Sequence, residues 1–159
     1  MAYIEAICIS RKKGVVKKPI QEARFVENWG IEGDAHAGPG HRQVSLLAGE
    51  SIDRMKEIIP QLSQGAFAEN LITRGISLQE IAVGDRLQIG ESVFLEVTQI
   101  GKECHTACAI MALTGDCIMP REGIFARVLR GGIVRPGDSV KVINRAEKSK
   151  GVSAQQTVE

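Results

Sequence analysis

Val83-Gly84-Asp85-Arg86-Leu87-Gln88-Ile89-Gly90-Glu91-Ser92-Val93-Phe94-Leu95-Glu96-Val97-Thr98-Gln99-Ile100 sets the architecture of this chain. Val93, Leu95 and Val97 fall on one face and Phe94 and Glu96 on the other, the two-residue period of a half-buried strand. A Gly-Asp turn feeds the first run, and Gly90-Glu91 is placed to join the two runs as a hairpin. The same Gly-Asp turn recurs in Arg135-Pro136-Gly137-Asp138-Ser139-Val140-Lys141-Val142. Upstream, Tyr3–Ile9 is apolar on both faces and reads as an internal strand. Ala23–Trp29 alternates well enough for another.

Two segments carry a helical signal. Ile52, Met55 and Ile59 share one face after the short strand Gln43–Leu47, with Pro60 as the stop. Ile124, Phe125, Val128 and Leu129 form a second stripe, closed by Gly131-Gly132. Many short strands, 17 glycines and two or three short helices at the edges predict a mainly β (α+β) protein. The expected architecture is a closed or partly open β-barrel. The domain is expected over residues 1–143, with 144–159 a polar, disordered tail. GxGxxG and P-loop signatures are absent.

Composition narrows the function classes. With 159 residues and 43% hydrophobic content, the chain can bury a core without disulfides or metal. A net charge of +1 and six aromatic residues argue against nucleic acid, which calls for a basic face or stacking platforms. No run approaches the roughly 20 apolar residues of a membrane helix, so no membrane partner is expected. Glu5 inside the first apolar run, with basic residues after it, is the wrong order for an export signal. The expected location is cytoplasmic, with the cysteines as thiols.

Three of the four cysteines, Cys104, Cys108 and Cys117, lie within fourteen residues. Cys104 has Lys102 and His105 beside it, cations of the kind that favour a thiolate. Cys108 lies one helical turn further on, a spacing that suits a resolving thiol or a soft-metal site. Zinc on Cys104, Cys108 and Cys117, with His105 as a fourth ligand, is an irregular match to the usual spacings. A purely structural cluster is the bland alternative. Cys8, in the first apolar strand, reads as a buried thiol. Arg11, Lys12, Lys13, Lys17 and Lys18 form a basic turn that suits an anion or simply solvent. Asp34, His36 and His41 sit in a glycine-rich loop. Glu69-Asn70 reads as a strand-entry cap, and Arg127 as the flank of the second helix.

Taken in order, several blocks look familiar: Ser10-Arg11-Lys12-Lys13-Gly14, Gly30-Ile31-Glu32-Gly33-Asp34-Ala35-His36, His41-Arg42-Gln43-Val44-Ser45-Leu46-Leu47 and Gly65-Ala66-Phe67-Ala68-Glu69-Asn70-Leu71. Val83-Gly84-Asp85, the Cys104 segment and Gly123-Ile124-Phe125-Ala126-Arg127-Val128-Leu129 complete the series up to Gly137-Asp138. The chain resembles the MOSC family, named for the C-terminal domain of molybdenum cofactor sulfurase, and specifically its small stand-alone members.

That resemblance implies a barrel like the one in pyruvate kinase and an essential cysteine at Cys104. The cysteine would carry sulfur as a persulfide or ligate molybdenum. The resemblance also implies a molybdopterin-type molybdenum cofactor, held by Arg11, Lys12, Lys13, Asp34, His36, Arg42, Asn70 and Arg127. Lys102 and His105 would tune Cys104. Family descriptions also mention pyridoxal phosphate, which is not expected here because this sequence lacks an aminotransferase-like domain. The implied activity is sulfur transfer or a part in a molybdenum-dependent reductase. The implied partners are molybdenum cofactor biosynthesis proteins or a sulfur donor such as a cysteine desulfurase. The alternative is a non-catalytic partner domain whose cysteines are structural or bind zinc.

Overall fold

The computed structural model describes residues 1–13, 15–101 and 122–144. Eleven strands are described: β1 (Tyr3–Ile9), β2 (Lys18–Ile20), β3 (Ala23–Val26), β4 (Gly30–Ile31), β5 (Val44–Ala48), β6 (Leu71–Arg74), β7 (Arg86–Ile89), β8 (Val93–Ile100), β9 (Ile124–Arg130), β10 (Gly132–Val134) and β11 (Val140–Asn144). The one α-helix among the described residues is α1 (Gly49–Lys56), and Leu78–Glu80 forms a single 3-10 turn.

Eight strands make one mixed sheet in the order β11-β7-β8-β9-β5-β6-β1-β2, and β10-β3-β4 make a second. The pair β5–β6 is parallel, which requires a crossover, and α1 supplies it. The large sheet curls until its ends approach. Ile4 N–H donates to the Asp138 carbonyl at 2.8 Å, Gly137 N–H to the Ile4 carbonyl at 2.7 Å and Val140 N–H to the Ala2 carbonyl at 3.2 Å. One isolated bridge, Tyr3 to Ser139, joins them there, so among the described residues the expected barrel takes the form of a bent mixed sheet without a continuous closing ladder.

Strand alternation builds two cores from one sheet. Ile4, Ile7, Leu46, Leu71, Leu95, Val97, Ile124 and Ala126 fill the concave side. Their neighbours Ala6, Cys8, Leu47, Ile72 and Phe125 point the other way and meet Ile52, Met55 and Ile59. A sheet buried on both faces needs apolar residues at consecutive positions, which is what β1, β5 and β9 carry. The hairpin β7–β8 is as expected, with Ile89 opposite Val93 and Arg86 opposite Glu96.

Two helical expectations require correction. Ile124–Leu129 is not a helix but most of β9, which pairs β8 with Val97 opposite Ala126 and pairs β5 with Ser45 opposite Phe125. Apolar residues on both faces of a buried strand mimic a helical stripe over so short a run, and the long-range pairing prevails. Gly131-Gly132 therefore caps nothing. A Cβ at Gly131 would strike the carbonyl of Phe25, so glycine there allows β9 to pass into β10 against β3. The first helix exists but ends at Lys56. Turns then carry the chain on, with Ile59 N–H donating to the Met55 carbonyl at 2.9 Å, so Pro60 is not the stop. The β3 strand also ends early, at Val26, because Asn28 takes a positive φ of 51°. Asn144 still belongs to β11, and the rest of the expected tail lies outside the described residues.

Candidate functional site

The β1–β2 connection and the loop after β4 are tied together by one lysine. Lys17 is 1% exposed, and its Nζ reaches Asp34 Oδ1 at 2.8 Å, His36 Nδ1 at 2.9 Å and Ser10 Oγ at 3.1 Å. A buried ammonium is tolerable only when paired and hydrogen-bonded, and here all three of its protons have acceptors. The Asp34 carboxylate also accepts the N–H of Ser10 and the N–H of His36, both at 3.1 Å. Ala35 N–H donates to the Ser10 carbonyl at 2.7 Å. The glycine-rich loop is thus clamped onto the end of β1.

The backbone of Lys17 is held in turn. Its N–H donates to the Gly65 carbonyl at 3.0 Å. Gly65, at φ +88°, lies so close that a Cβ would run into the Lys17 carbonyl. Glu69, fully buried, accepts the N–H groups of Gly65 at 2.8 Å and Phe67 at 2.9 Å. Burial pushes its carboxyl above the usual range, outweighing those two bonds and the nearby Lys17 charge, which pull it down. Burial, with the Glu69 charge adding to it, also pushes the Cys8 thiol up to about 12. Cys8 is therefore an inert core thiol, as its apolar strand implied.

Asn70 joins three strands. Its Oδ1 accepts the Ser45 N–H at 2.9 Å, its N–H donates to Ser45 Oγ at 3.0 Å, and its Nδ2 donates to the Cys8 carbonyl at 3.0 Å. Asn70 is fully buried, and these bonds spend its polar groups inside the protein.

A second cluster stands where β8 ends and β9 begins. Gln99 Oε1 accepts from His41 Nε2 at 2.7 Å and from Arg42 Nε at 3.0 Å. The Arg42 guanidinium lies 5.4 Å from the Phe125 ring centre, a cation–π distance. Thr98 Oγ1 donates to the His41 carbonyl. Gln99 is opposite Phe125 and Ile100 opposite Ile124, and Gly101 N–H donates to the Gly123 carbonyl at 2.6 Å. Residues 102–121 therefore leave and rejoin the described fold at one tied base, beside His41 and Arg42. Lys102, Cys104, His105, Cys108 and Cys117 lie in that span, outside the described residues.

The remaining basic candidates divide. Arg11, Lys12 and Lys13 are exposed. Arg11 and Lys12 border a shallow cavity of about 380 Å³ walled by Ile9, Val15 and Val16. Arg127 stands apart from them, paired with Glu96 at 2.6 Å across β8–β9. A larger cavity of about 530 Å³ opens beside α1, between Ile76, Leu78, Ile100 and Arg54. Among its described lining residues the one cation, Arg54, is already bound to Glu122 at 3.0 Å. Among the described residues no cluster of three or more His, Cys, Asp or Glu is gathered for a metal ion.

The MOSC domain model matches residues 32–141, which is more than half of the chain. The chain belongs to the MOSC domain family. Members of this family are associated with molybdenum cofactor-related proteins. The chain is 28% identical over 153 residues to the uncharacterised MOSC relative YflK of Bacillus subtilis, covering 89% of this chain and 67% of YflK. It is 29% identical over 133 residues to a reductase of Gibberella moniliformis. That match takes in 76% of this chain but spans only 24% of the reductase. Among solved structures it is similar to YuaD of Bacillus subtilis, with a TM-score of 0.71 and 21% identity over 88% of this chain and 94% of YuaD. It also resembles YiiM of Geobacillus stearothermophilus, at a TM-score of 0.66 and 18% identity, covering 95% of this chain and 78% of YiiM. These structural likenesses support the MOSC-type fold. No helix among the described residues is long and apolar enough to cross a membrane.

Sequence alone groups Lys17 with its solvated basic neighbours, whereas the fold buries it. No local signal marks it, because the Gly65 backbone that packs against it is distant in sequence. Gln99, which organises His41 and Arg42, carried no signal within its own strand.

Proposed function

We propose that this MOSC protein binds a molybdopterin-type cofactor and carries sulfur on Cys104 in molybdenum cofactor metabolism. The observation that carries the reading is the tied base at Gly101–Gly123, two residues beyond Gln99 with its His41 and Arg42 partners. Cys104 is three residues from Gly101, a covalent reach of about 10 Å.

The donor chemistry fits an anionic cofactor. Among the described residues Arg11, Lys12 and Lys13 make no side-chain bond and Arg42 bonds through Nε alone, and guanidinium forks match phosphate oxygens. Ile9, Val15 and Val16 offer an apolar wall for a flat ring. Asp34 and Asn70 act one layer below, holding the loop and the strands. Arg11, Lys12, Lys13 and Arg42 would hold the cofactor's phosphate, and the cofactor, when bound, would supply molybdenum-centred redox chemistry.

Lys102 and His105 favour the Cys104 thiolate. That thiolate attacks the outer sulfur of a donor persulfide. The donor's S–S bond breaks, its inner sulfur leaves as a thiolate with the electron pair, and Cys104 retains the outer sulfur with its proton. Attack on this sulfur by an acceptor nucleophile returns the Cys104 thiolate, so no external oxidant or reductant is needed. A cysteine desulfurase is a suitable donor class. The test is sulfur loading of wild-type protein and Cys104→Ser from a cysteine desulfurase and cysteine. Loss of loading in a variant with unchanged circular dichroism supports the reading, and equal loading overturns it.

A further inference from the structure

We propose that the outer face of β7, β8, β9 and β11 is a docking surface for a protein partner that presents a carboxylate-rich patch, whatever the role of Cys104.

The outer side of the large sheet has two halves. Over β1, β5, β6 and the start of β9 its outward positions are apolar, and Cys8, Leu47, Ile72 and Phe125 cluster with Ile52 and Met55 of α1. Past Phe125 the outward positions change character. Leu87, Leu95, Val97, Ala126 and Val128 belong to the concave core, so alternation turns Arg86, Glu96 and Arg127 outward. These three form one cross-strand row, with Arg86 opposite Glu96 and Glu96 opposite Arg127. A second row runs through Lys141, Gln88, Phe94 and Arg130. All four cations are exposed and Phe94 is half-buried.

The two rows hold four cations against one carboxylate. The whole chain carries 20 basic and 19 acidic side chains, so a merely solvated face of this composition would be close to balanced. Glu96 is shared by Arg127 at 2.6 Å and Arg86 at 3.8 Å. Among the described residues no carboxylate pairs with Arg130 or Lys141. The excess is positive, and its complement is an acidic surface. A uniform polyanion such as nucleic acid would meet the Glu96 carboxylate in the middle of the face. A protein can set an uncharged or basic group there. Arginines beside a half-buried aromatic ring are also the residue types enriched where proteins meet.

The test is titration of the 15N-labelled full chain with poly-L-glutamate, read from amide shifts, beside a single-stranded oligonucleotide of equal charge. At about 0.01 M ionic strength, where charges act over about 30 Å, poly-L-glutamate should shift amides in β7, β8, β9 and β11. Those shifts should vanish at about 1 M, where the range is about 3 Å. Combining Arg130→Glu with Lys141→Glu should weaken binding about tenfold or more, with circular dichroism unchanged. If the double variant does not fold, Lys141→Glu alone should show a smaller loss in the same direction. Absent shifts, shifts confined to the turn carrying Arg11, Lys12 and Lys18, or undiminished binding by the folded variant overturns the proposal. Tighter binding of the oligonucleotide at this face overturns it as well.

Discussion

Replacing Lys17 with Met removes one charge from a pair with no exposed side-chain surface on either partner. The stem keeps its volume, so the change isolates the ammonium. Stripping one partner from a buried ion pair costs about 3–5 kcal/mol, because the other charge is left uncompensated. Asp34 retains the N–H groups of Ser10 and His36, which brings the expected loss to the lower end, about 3 kcal/mol. In urea unfolding at neutral pH, this is a rise of roughly 150-fold in the unfolding constant. Adding Asp34→Asn should recover a large part of the loss, since the stranded charge is gone. A Lys17→Met protein within about 1 kcal/mol of wild type would place the pair among solvated ones. That result would refute the reasoning, as would a double variant no more stable than Lys17→Met.

Other predictions rest on the same layer. Gly65→Ala combines a positive φ with a collision against the Lys17 carbonyl and should cost at least about 2 kcal/mol in the same assay; a neutral substitution would contradict the geometry. Because burial raises the Glu69 carboxyl above its ordinary 4.5, the folded state holds more protons than the unfolded state just above that pH. Wild type should therefore lose stability relative to Glu69→Gln as pH rises from 4.5 through the raised folded value, and parallel stability curves would count against it. Cys8, with its thiol near 12 and no exposed surface, should resist iodoacetamide in the native protein and react after unfolding, as peptide mass mapping would show.

What could be read from the sequence followed how local each signal was. The β7–β8 hairpin was legible because Gly90 and the Val93-Leu95-Val97 alternation determine it within one short stretch. The strand β9 was not, because Ile124, Phe125 and Val128 satisfy both helical and two-faced strand patterns. Only pairing with β5 and β8, distant in sequence, resolves them. Asp34 and His36 could be picked out as candidates. Their arrangement depends on Lys17, which sequence places among solvated basic residues and the fold draws inside. His41 and Arg42 share Gln99 across more than fifty positions of chain, a contact without a local pattern.

Intact-mass spectrometry of anaerobically purified full chain, with peptide mapping and elemental analysis of the same sample, tests the central claim most directly. A mass gain of one sulfur atom, localised to the Cys104 peptide and lost in Cys104→Ser, is the predicted result. An unmodified Cys104 in protein carrying one zinc per chain, with that zinc lost on changing Cys104, Cys108 or Cys117, would contradict it.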